Sequence, residues 1–137
     1  MGSVSNGLLV VAAGMWLNGG TPPNTPSVKF GTQSMTLVTG TNTPSNGMRV
    51  DIWKLVAPTA GTANVTLTIS SNMNMMGVGI ISFSGADQTT PIDVSGIATG
   101  TAGSVTKSLT TTNANGRHSP PARSGLILPT LGDRRAW

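Results

Sequence analysis

Asp51, Asp87, Asp93 and Asp133 are the only acids in this 137-residue chain, which has no glutamate, tyrosine or cysteine and one histidine, His118. General acid and base work falls mostly to His, Glu, Asp, Lys or Tyr, so two of the usual residue types are missing outright. A glycosidase needs two carboxyls facing each other across a cleft, and in the body of the chain only Asp51 with Asp87 or Asp93 offers such a pair. No G-x-S-x-G occurs and His118 lies in the tail, so a serine hydrolase would lack its base. The residues argue against an enzyme, and a small glycoside-directed hydrolase using Asp51 stands as the rival class.

Three constellations could bind instead. In Met48–Val56 (MRVDIWKLV) a two-residue period puts Arg49, Asp51 and Trp53 on one face. An exposed Trp53 there would stack on a sugar ring, with Arg49 and Asp51 hydrogen-bonding its hydroxyls. The alternative buries Trp53 and leaves Arg49 and Asp51 as an ion pair at the rim, which suits how deeply tryptophans are buried on average. In the loop Gly85–Asp93 the carboxylates of Asp87 and Asp93 are the hard oxygen ligands calcium prefers, although the EF-hand glycine and closing glutamate are absent. Otherwise Asp87 caps its own turn and Asp93 opens a strand. Met73, Met75 and Met76 form a methionine-rich corner that could bind Cu(I). Methionines more often fill gaps or make adaptable apolar contacts, so a contact between copies is the preferred reading.

These residues must be positioned by strands. Apolar residues alternate with polar ones along most of the body, broken at short intervals by Gly, Pro and Asn turns, and no stretch offers a helical face. Leu8–Trp16 is apolar on both faces and reads as a central strand. With no Lys or Arg before it and about ten mixed apolar residues, it reads as neither a signal nor a membrane span. Val28–Phe30 and Met35–Val38 read as a short hairpin around Gly31–Ser34. Met48–Val56, Val65–Ile69, Val78–Ser84 and an edge strand at Val105–Leu109 follow. The expected fold is all-β, an antiparallel two-sheet sandwich of seven or eight strands, immunoglobulin-like or jelly-roll.

Composition fits that class and narrows its setting. Charged residues make up only 9% of the chain, against about 25% in an average soluble domain. Thr, Ser, Gly and Asn take their place, giving a neutral, hydroxyl-rich surface. The net charge of +4 is mostly tail: residues 117–137 carry Arg117, Arg123, Arg134 and Arg135 against Asp133. A nucleic-acid module concentrates its cations on the folded face with interleaved aromatics, so nucleic acid is not an expected partner. The domain reads as residues 1–116 and the tail as residues 117–137. In the tail, Arg117–Pro121 suits a connector, and residues 125–129 (GLILP) offer a last strand whose apolar run, Leu126–Leu128, docks on the body.

The segments VKFGTQSMTLV, RVDIWKLVAP with GTANVTLTIS, and above all SFSGADQTTP resemble a module of bacterial secreted, surface and phage-associated multidomain proteins. The resemblance covers about residues 7–116. It implies an immunoglobulin-like or jelly-roll sandwich of largely unassigned function and supplies no catalytic residues. Members usually continue past the position of Gly116 with another hydrophobic strand, where this chain reads RHSPPARSG. The expected function is a non-catalytic extracellular or cell-surface module for adhesion, glycan binding or assembly. Its expected partners are a glycan or cell-surface ligand and further copies of itself, with no membrane insertion.

Overall fold

A computed structural model describes residues 6–18, 24–43, 47–70, 72–100 and 104–112. Among them are seven strands and no helix: β1 (Leu8–Trp16), β2 (Ser27–Phe30), β3 (Gln33–Ser34), β4 (Thr36–Thr43), β5 (Met48–Val56), β6 (Val65–Thr68) and β7 (Met75–Phe83). They form two antiparallel sheets, four-stranded in the order β4-β5-β1-β7 and three-stranded in the order β3-β2-β6. The all-β, two-sheet reading of the sequence is thus what the chain adopts. The expectations for residues 117–137 lie outside the described residues.

Leu8–Trp16 is central because it is apolar on both faces and both faces are covered. Leu9, Val11, Ala13 and Met15 turn inward. Leu9 and Val11 meet Val28 and Phe30 of β2, together with Met35 and Trp53, in the core between the sheets. Leu8 and Val10 point the other way and pack with Ile52, Val56, Phe83, Ala86 and Ile92. That outer cluster is covered by the segment after β7, which folds back over the large sheet. Ala86 N–H donates to the Asn6 carbonyl at 2.9 Å, and Gln88 Nε2 donates to the Ala86 carbonyl at 2.8 Å. Of SFSGADQTTP, Phe83 and Ala86 pack on this cluster, while Asp87, Thr89 and Thr90 are exposed.

Two local expectations are corrected. The hairpin closes through Gly31–Thr32, pairing Phe30 with Gln33. Gly31 takes a φ of +58° at the first central position, as a two-residue type II′ turn requires. Met35 lies between β3 and β4, where its amide still donates to the Val28 carbonyl of β2 at 2.8 Å, and from Thr36 onward the chain has crossed to the large sheet and pairs with β5. A bulge between Leu37 and Thr39 frees Val38 to pack on the outer cluster. Val105–Leu109 is not a strand in the structure. Leu109 instead lines the outer apolar cavity, and Asp93 accepts hydrogen bonds from the amide and hydroxyl of Thr112, tying the segment down.

Candidate functional site

Arg49, Asp51 and Trp53 do share one face of β5, as the alternation requires, but that face lies inside the sandwich. Their partners in β1 are Met15, Ala13 and Val11. Trp53 is 6% exposed and belongs to the core between the sheets. Its ring is therefore not presented to solvent as a platform for a sugar. Asp51 is fully buried, and its Oδ2 accepts a hydrogen bond from Arg49 Nε at 2.8 Å. Arg49 reaches outward as well, donating from Nη2 to the hydroxyl of Thr25 at 2.8 Å. The three residues make a buried ion pair beside a core indole. Asp51 Oδ1 and Trp53 Nε1 find no partner among the described residues. Room for the carboxylate comes from Gly40 on β4, opposite Asp51, where a Cβ would collide with Oδ1.

The other acids stand apart from this pair. Asp87 is exposed, and its Oδ1 accepts hydrogen bonds from the amides of Thr89 and Thr90 at 2.7 and 2.8 Å. The Thr90 amide, followed by that of Thr89, holds the carboxyl below its usual range, as expected when backbone donors stabilise the charged form. Asp87 is thus the turn cap weighed from the sequence. The carboxylate of Asp93 is turned to Thr112. Among the described residues no three of His, Cys, Asp and Glu gather around a common point. Met75 and Met76 are neighbours in β7, so their thioethers leave the strand on opposite faces. Beneath the segment that follows β7 lies a cavity of about 40 Å³, lined by Leu8, Val10, Ile52, Phe83, Ile92 and Leu109 among others. Small-molecule sites run to roughly 300–1,000 Å³, so this is a packing gap.

The unusual surface is β7. It borders the large sheet with β1 on one side and no strand among the described residues on the other. In register with β1, Met76, Val78 and Ile80 stand opposite Met15, Ala13 and Val11, so they share the face that forms the core between the sheets. Yet they are 45%, 45% and 53% exposed, while their partners in β1 are fully buried. The small sheet ends at β6, whose Val65 and Leu67 are half-buried against the core. It does not reach over β7. On the opposite face Gly77 and Gly79 leave open space, with nothing within 4 Å of a Cβ added at either. The sequence marks Val78–Ser84 as a strand without saying on which sides it is paired. The signal was present, because MMGVGIISF carries no charge or proline and is apolar on both faces, as β1 is. Such a strand calls for two neighbours, and among the described residues this one has a single neighbour.

No protein-family model, curated protein or solved structure matches the chain.

Proposed function

We propose that this domain is a non-catalytic assembly module of the extracellular surface, binding by strand addition along β7. The observation that carries the reading is the exposure of Met76, Val78 and Ile80 on a face that, one strand further in, is sealed core. An edge of this kind presents a row of free backbone donors and acceptors together with side chains that a new strand would cover. Edges left open in monomeric proteins usually carry lysine, proline or a bulge, and β7 carries none of them. Among the ligand classes considered from sequence, assembly is preferred to glycan stacking because the one tryptophan flanked by polar groups is buried. Kinship with the surface and phage-associated modules belongs to the same proposal. The fold alone does not choose a function, since sandwiches host many.

Panning a library of random displayed nonapeptides tests the acceptor role without assuming a natural partner. Binders of alternating apolar pattern are expected. They should protect β7 amides from hydrogen exchange and lose affinity at least tenfold for a variant carrying Val78→Lys and Ile80→Lys. Binders that map elsewhere, or that bind the lysine variant equally well, would contradict the reading.

A further inference from the structure

We infer that the strand added at β7 is β7 of a second copy, paired antiparallel about a two-fold axis at Gly79. This rests on the strand-acceptor reading and names its partner. The nine residues of β7 have one antiparallel self-register that pairs all of them, with Gly79 opposite itself. In it, paired residues always sum to an even number. Each copy's inward residues therefore meet inward residues and its outward ones meet outward ones, as a continuous sheet demands. The pairs that result are complementary. Val78 lies beside Ile80 of the copy, twice by symmetry, as β-branched cross-strand neighbours. Ile81 lies beside the copy's Gly77, over space that is open in the single chain. Met75 lies beside Phe83, a thioether against a ring edge. The strand is uncharged along its length, so two copies meet there without repulsion.

The product is one eight-stranded sheet made from two four-stranded ones, with the exposed stripes of Met76, Val78 and Ile80 brought side by side. A two-fold contact uses the same patch on both partners, which a self-complementary edge satisfies. A single pair of strands makes a small interface, below roughly 1,200 Å², so the dimer should form at micromolar to sub-millimolar concentration.

Sedimentation equilibrium over that range, on the full chain, tests the inference with two variants alongside. The parent should approach twice its monomer mass. The Val78→Lys/Ile80→Lys variant should remain monomeric while keeping the parent's melting temperature, since both side chains are exposed in the single chain. A chain with Leu126, Ile127 and Leu128 all changed to Ser should dimerise as the parent does. If the parent is monomeric and the serine variant dimerises, the chain's own apolar run occupies the edge and the inference fails. A dimer that survives the lysines places the contact elsewhere and also overturns it. Monomers throughout, with the nonapeptides still binding β7, would sink the second copy as partner and leave the acceptor reading standing.

Discussion

Arg49→Met should cost about 3–5 kcal/mol in a urea unfolding experiment, because it leaves the carboxylate of Asp51 buried without its cation. Asp51 is fully buried and bonded to Arg49 Nε, and its second oxygen has no partner among the described residues. Little is therefore available to compensate for the loss. Typical domains have only about 5–15 kcal/mol in total, so the variant should sit close to unfolding. Replacing both partners, Arg49→Met with Asp51→Leu, should recover most of the loss, since a buried pair can be exchanged for apolar residues of similar volume at little cost. Gly40→Ala should also be harmful in the parent, because its Cβ collides with Asp51 Oδ1. That penalty should shrink once Asp51 is Ala, as expected for groups in contact. A loss below about 1 kcal/mol for Arg49→Met would mean that water reaches Asp51 and that the pair is not buried.

Trp53→Ala should cost a comparable amount, about 3–5 kcal/mol, through the cavity it leaves among Leu9, Val11, Val28, Phe30 and Met35. The same substitution separates the two roles open to this residue on sequence grounds. A sugar platform would lose glycan affinity and keep its melting temperature; a core indole loses stability. An unchanged melting temperature would return Trp53 to the surface and contradict the packing described here.

These two predictions also show how far the sequence could be read. Alternation alone put Arg49, Asp51 and Trp53 on one face, and apolar residues on both faces marked Leu8–Trp16 as central. What alternation could not decide was whether the β5 face looked inward, because two charges and an indole are as consistent with a rim as with a surface. Gly40 and Thr25 settle that point, the first by leaving space for the carboxylate and the second by taking the outer end of Arg49. Gly40 lies on the preceding strand and Thr25 before β2, and neither marks its role by type or spacing.

The hairpin was misplaced because Gln33 and Ser34 carry no apolar residue to reveal a strand, while Met35 marks the crossing between sheets rather than a return. Val105–Leu109 alternates like a strand, but alternation does not supply a partner. Leu109 instead joins the outer cavity, and Asp93 fixes the end of the segment. The open edge was the least legible feature. A period-two pattern reports which faces of a strand are apolar and is silent on how many neighbours the strand has.

The occupancy of the β7 edge is the centre of the account, and amide hydrogen exchange followed against protein concentration measures it directly. In an edge strand, amides bonded to the inner neighbour alternate with amides that point outward, so protection should alternate. At low concentration every second amide from Met75 to Phe83 should exchange far faster than the amides of β1. Raising the concentration should slow those outward amides selectively and leave the rest of the molecule unchanged. Uniform protection along β7 in dilute solution, or outward amides that stay fast at every concentration, would contradict it.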